Sequence, residues 1–222
     1  CAARNRRARR RAEQARASEG DNRNVIEEQL ELFLWSYQGY SKRDGGNTIV
    51  RRAIAEVVKV ASNTSLSLYD RNRAVYALLR YGVKVKADVA AQTETVWLID
   101  WKTPEKNRFA IAEEVTVKPA DPKAHGKRPD IVLYVNGIAL GVLELKRSTV
   151  SVAEGIRQNL DNQKKEFIQP FFSTLQYVMA GNDTEGLRYG TIETREKYYL
   201  TWQEERPGWR PGDAEDRKYL TE

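Results

Sequence analysis

Asp130, Glu144 and Lys146 are the residues whose types and spacing can do chemistry. They sit within Arg128-Pro129-Asp130-Ile131-Val132 and Val142-Leu143-Glu144-Leu145-Lys146, two apolar runs that flank Asn136-Gly137. Asn-Gly between apolar runs predicts a tight hairpin, because both turn residues must take positive φ. Strand side chains alternate, so Glu144 and Lys146 share a face and Leu145 points away. Two carboxylates and an ammonium on apolar strands are costly unless they meet a partner. A hard divalent cation such as Mg²⁺ is one, since it takes one or two carboxylates together with water and phosphate oxygens. Asp130 and Glu144 would supply the carboxylates and the Leu145 carbonyl a neutral oxygen. Lys146 would orient the attacking water or stabilise developing negative charge. That set suits phosphodiester hydrolysis. The bland alternative is a surface strand with an Asp…Glu-x-Lys charge pattern and no catalytic role.

The hairpin register raises a difficulty. A two-residue turn pairs Val135 with Ile138 and leaves Asp130 opposite Leu143, so Asp130 and Glu144 would fall on opposite faces. A single bulge, near Gly141, or twist at the strand end would bring them together.

The elements that must hold this hairpin follow from periodicity. Helices are expected over residues 24–38, with Asn22 or Asn24 as cap, over Thr48–Ala61 and over Arg71–Arg80. Strands are expected at Val83–Val89, Thr95–Trp101 and Phe109–Val117, with a loop over Pro119–Lys127. Ser151-Val152-Ala153-Glu154 has the capping-box pattern, and a helix should run from it to about Ile168. Leu175–Ala180, Leu187–Ile192 and Tyr198–Trp202 read as later strands. Helices first, then strands with one crossover helix, give an α/β domain with a central mixed β-sheet flanked by helices.

Composition narrows the classes. The chain has 222 residues, 41% apolar and 31% charged, and a formal charge of +6. Seven Arg against one Glu within residues 1–16 account for that charge, and the rest balances. The folded part is therefore not a broadly basic nucleic-acid binder. Residues 1–22 read as a basic tail, able to lie on phosphates or simply a loosely ordered terminus. Residues 23–202 read as the folded domain, and residues 203–222, with Pro207, Gly208, Pro211 and Gly212, as a linker. One Cys and one His (His125) argue against a Cys/His zinc site or a His-based triad, and the single Cys suits a reducing compartment. No apolar run is long enough for a membrane helix. A start at Cys1 rather than Met reads as a fragment.

Arg128-Pro129-Asp130…Glu144-Leu145-Lys146 resembles the PD-(D/E)xK nuclease motif. Further stretches widen the likeness: Arg80-Tyr81-Gly82-Val83, Trp97-Leu98-Ile99-Asp100-Trp101, Asn107-Arg108-Phe109, Asn136-Gly137 and Tyr189-Gly190-Thr191. Together they resemble the N-terminal endonuclease domain of the restriction (motor) subunit of type I restriction–modification enzymes, over roughly residues 25–202. The resemblance implies a restriction-endonuclease-like, RecB-like fold and an Mg²⁺-dependent nuclease acting on double-stranded DNA in prokaryotic cytoplasm. It also implies methylation and specificity subunits as partners. From the family's Gln-x-x-x-Tyr motif it implies a catalytic role for Gln158, although Asn162 stands where the Tyr would be. The family's helix-one acid falls on Glu28, or on Glu27, as a further metal ligand. ATP would serve a motor outside these residues, because no G-x-x-x-x-G-K-[ST] loop occurs in them. A non-catalytic DNA-binding or docking domain is the alternative of another class. A stand-alone repair or junction nuclease is a third, disfavoured by the linker-like C-terminus.

Overall fold

The computed structural model describes residues 23–119, 123 and 125–203. The expected tail over residues 1–22 lies outside them, as does all but the first residue of the expected linker. Six strands form one mixed sheet in the order β3-β4-β5-β6-β7-β8. They are β3 (Phe109–Glu113), β4 (Ile131–Val135), β5 (Ile138–Leu145), β6 (Tyr177–Asn182), β7 (Gly186–Gly190) and β8 (Leu200–Thr201). All neighbours are antiparallel except β5 and β6, which run parallel. A parallel pair needs a crossover, and here helix α4 (Val152–Asn162) supplies it. The expected mixed sheet with flanking helices is the observed architecture.

The N-terminal half builds a second layer. Helix α1 (Glu27–Leu32) continues into a π-helical turn, Phe33–Tyr37. Helix α2 spans Gly46–Ala61 and α3 spans Leu68–Tyr81. Leu30, Phe33, Leu34, Ile49, Val50, Val57, Val75 and Leu79 form one core with Leu98 and Ile138. Ile138 begins β5, so this core seats the helices on the turn end of the hairpin. A second core lies under α4, where Val152 and Ile156 meet Val132, Val142, Val178 and Phe172.

Several expected elements change. Asn24 does not cap α1. Its carbonyl accepts from Ala139 N and its amide donates to Ser173 Oγ at 2.8 Å, so the chain enters as an extended segment against β5. Helix α3 starts before Arg71, because Ser67 caps it by accepting from Asp70 N. The expected strands at Val83–Val89 and Thr95–Trp101 shrink to β1 (Val83–Val85) and β2 (Glu94–Val96), which pair only with each other. Helix α4 ends at Asn162 rather than near Ile168, and Ile168 reaches the core from a turn.

Candidate active site

The hairpin turn is as the sequence predicts: Asn136 and Gly137 have φ of 53° and 84°. Asn136 is also fully buried. Its amide donates to Leu98 O and to Asn107 Oδ1, both at 2.8 Å, and its Oδ1 accepts from Arg108 N. A turn residue thus pins the hairpin to the helical layer, which no local signal announces.

The register then shifts by one residue. Tyr134 faces Ala139 while Leu133 faces Gly141, so Leu140 is the extra residue of a bulge beside Gly141. Beyond it, Ile131 faces Leu143, and continuing that register sets Asp130 opposite Glu144. Directly opposed residues share a face, so the two carboxylates meet. Asp130 Oδ2 accepts from Leu145 N at 2.7 Å at the mouth of the hairpin. The carbonyl of a strand residue points to the same edge as its N–H, so Leu145 O also turns toward the Asp130 side.

Glu144 is 0% exposed. Its Oε2 accepts from Gln158 Nε2 at 2.7 Å, and Gln158 Oε1 accepts from Lys146 Nζ at 2.6 Å. The Gln158 amide therefore bridges the two side chains: its carbonyl faces the cation and its NH₂ the carboxylate. Glu144 Oε1 has no hydrogen-bond partner. Burial, and then the neighbouring Asp130 carboxylate, raise the Glu144 pKa to about 7, against the opposing pull of Lys146 and Lys127. A buried carboxylate with an orphaned oxygen, set beside a second, partly exposed carboxylate, is undersupplied with positive charge.

Helix α4 reaches this pair because of Gly155. A Cβ there would stand 2.9 Å from Ala180 Cβ and 3.5 Å from Lys146 Cγ and Cε. The missing side chain lets α4 sit on β6 and makes room for the Lys146 stem. A glycine inside a helix pattern signals such close approach, so this positioning residue was within reach of the sequence. At the N-terminus Ser151 caps α4 by accepting from Ala153 N, but Glu154 does not complete the box. It pairs with Arg157, and Glu185 Oε1 takes Val152 N instead.

Asp130, Glu144, Lys146, Gln158 and the Leu145 carbonyl are thus brought to one place, whereas Glu28 is not. Ile26 N donates to Gly137 O at 2.7 Å, which ties the start of α1 to the turn end of the hairpin. At about 3.3 Å per strand residue, Glu144 lies roughly 20 Å farther along β5. Glu28 is exposed and pairs with Arg23 at 3.7 Å, and Glu27 pairs with the same guanidinium at 3.8 Å. Among the described residues no group of three or more His, Cys, Asp or Glu side chains is placed to hold a metal ion. Any cation here would rest on the two carboxylates, a carbonyl and water.

A paired carboxylate centre with an adjoining lysine, set in the mouth of a hairpin on a mixed sheet, defines an α/β domain of the restriction-endonuclease-like class. A family model described as type I restriction enzyme R protein N terminus matches residues 6–197, and the chain belongs to that family. It is 28% identical over 158 residues to the type I restriction enzyme HindI endonuclease subunit of Haemophilus influenzae, covering 68% of this chain and 14% of that protein. It is 25% identical over 135 residues to the putative type I restriction enzyme MjaIXP endonuclease subunit of Methanocaldococcus jannaschii, covering 60% of this chain and 13% of that protein. The chain therefore spans a small part of the length of these relatives. No described helix is long and apolar enough to cross a membrane.

Proposed function

We propose that these residues are the DNA-cleaving centre of a type I restriction enzyme, hydrolysing phosphodiester bonds of double-stranded DNA with Mg²⁺. The observation that carries this is the bulge at Leu140, which sets Asp130 across from a buried, under-neutralised Glu144. A bulge costs a ladder pairing and re-aims a strand; a purely structural hairpin gains nothing from driving two carboxylates together. The donor set fits Mg²⁺, which is content with one or two carboxylates and retains water. Asp130, Glu144 and the Leu145 carbonyl would hold it. When bound, the ion would acidify a water and offset charge building on the phosphoryl oxygens.

The chain's own groups do the rest. Asp130 is oriented by the Leu145 N–H, and its carboxylate would turn to the ion together with that of Glu144. Gln158 holds Glu144 in one rotamer and keeps the Lys146 ammonium beside it. Lys146 would donate to the negative charge that develops during attack at phosphorus. In the assembled enzyme, DNA would arrive through a motor and through specificity and methylation subunits that lie outside this chain, with ATP used there.

The test is Mg²⁺ binding read by calorimetry together with DNA cleavage. Asp130→Ala and Glu144→Ala should each abolish both. Cleavage that survives either change would return the domain to a non-catalytic DNA-binding or docking role.

A further inference from the structure

Helix α4 covers only one face of the sheet. Gly155 sits on Ala180, so Met179 and Tyr177 beside it point to the other face. Across that face the register lines up Ile131, Leu143, Met179, Tyr189 and Leu200 on five successive strands. Half-exposed sheets normally alternate, with polar residues outward. Here the outward positions are mostly aliphatic or aromatic, with Glu113 beside Ile131 at the far edge and Met179 covered at 6% exposure, and the β6–β8 end is open: Leu200 is 59% exposed, Tyr177 49% and Trp202 45%. The rings of Tyr177, Tyr189 and Trp202 form a ladder, with centroids 6.5 Å and 5.6 Å apart. A contiguous apolar surface of this kind marks an interaction site rather than a solvated face.

We infer that this sheet face is the seat on which the rest of the R protein polypeptide docks, through an apolar surface of its own. Two observations choose that occupant. The family describes the N terminus of R proteins, and the matched region is only 14% of the Haemophilus influenzae subunit, so in such proteins most of the polypeptide lies elsewhere. The last described strand, β8, also lies at this edge: Trp202 N is bonded to Leu187 O at 2.8 Å and its ring meets Tyr189, so polypeptide joined C-terminal to this region would start beside the aromatic ladder. A short tether delivers its cargo to a nearby surface at millimolar effective concentration. The aliphatic share of the face suits packed protein better than stacked bases, which need aromatic planes flanked by cations.

The inference rests on family membership and not on the metal chemistry, and its test does not read cleavage. Hydroxyl-radical footprinting is applied to the complete R protein carrying this region. Tyr177 is compared with Tyr76, also 49% exposed, and Trp202 with Trp97, 44% exposed. Docking predicts labelling of Tyr177 and Trp202 roughly ten-fold below their references, because interface cores pack like protein interiors. It also predicts that Tyr177→Glu combined with Leu200→Glu restores labelling of Trp202. Equal labelling within each pair overturns the inference. Protection that vanishes on dilution assigns the face to a second copy and overturns it equally.

Discussion

Glu144 should make the fold weaken as pH rises, and Mg²⁺ should cancel the effect. Its pKa is raised from 4.5 to about 7 by burial and by Asp130. A carboxyl raised on folding binds more protons in the native state than in the unfolded state between those two values. Stability from this group is therefore fully present below about pH 4.5 and lost as pH rises through about 7. The loss is about 3 kcal/mol at 1.36 kcal/mol per pH unit. The assay is urea unfolding at pH 5 and pH 8, for the parent chain and for Glu144→Gln. Glutamine preserves an acceptor for Gln158 but does not ionise. The difference between the two proteins should grow by about that amount from pH 5 to pH 8, in favour of Glu144→Gln, while the slope against urea stays the same. Adding Mg²⁺ at pH 8 should restore the parent chain and leave the glutamine variant unmoved. Parallel pH profiles for both proteins would refute the reasoning, because the carboxyl would then be solvated rather than confined beside Asp130.

Gln158→Ala removes the bridge between Lys146 and Glu144, and cleavage in the assembled enzyme should fall on the order of 10-fold to 100-fold, as typically follows loss of a group that orients a metal ligand. Gln158→Glu should fall further, since a second carboxylate replaces the donor facing Glu144, and the midpoint of urea unfolding should drop as well. Gly155→Ala should cost about 1–3 kcal/mol, because the added methyl meets Ala180 across a packed helix–sheet contact; cleavage should drop with it as α4 carries Gln158 away. Asn136→Ala leaves the Asn107 side chain, the Leu98 carbonyl and the Arg108 N–H without their shared partner, and thermal unfolding should report a loss of roughly 2–4 kcal/mol.

The part of the site carried by the hairpin was legible because its signals are local. Asn136-Gly137 fixes a turn, strand alternation puts Glu144 and Lys146 on one face, and the mismatch in simple pairing called for an extra residue near Gly141, which proves to be Leu140. Gln158 came from resemblance, and α4 delivers it to Glu144 because Ser151 starts the helix where the capping pattern says. What failed was decided by distant partners. Asn24 has a cap's chemistry but finds Ser173 and the carbonyls of Pro170 and Phe171. The apolar runs after Gly82 look like long strands, yet β1 and β2 find only each other and pack on the helical layer. Glu28 lies on the expected helix, but α1 docks at the turn end of the hairpin, and no periodicity in the sequence says which end.

The most direct measurement is single-turnover DNA cleavage by the assembled enzyme carrying Lys146→Ala, with ATP and Mg²⁺, alongside DNA binding and ATP hydrolysis. Losing a donor where charge develops typically slows the chemical step on the order of 10²–10³-fold. That loss is predicted here, with binding and ATP hydrolysis nearly unchanged. Cleavage at the parent rate would contradict the account and leave the Asp130–Glu144–Gln158–Lys146 arrangement as structure without catalysis.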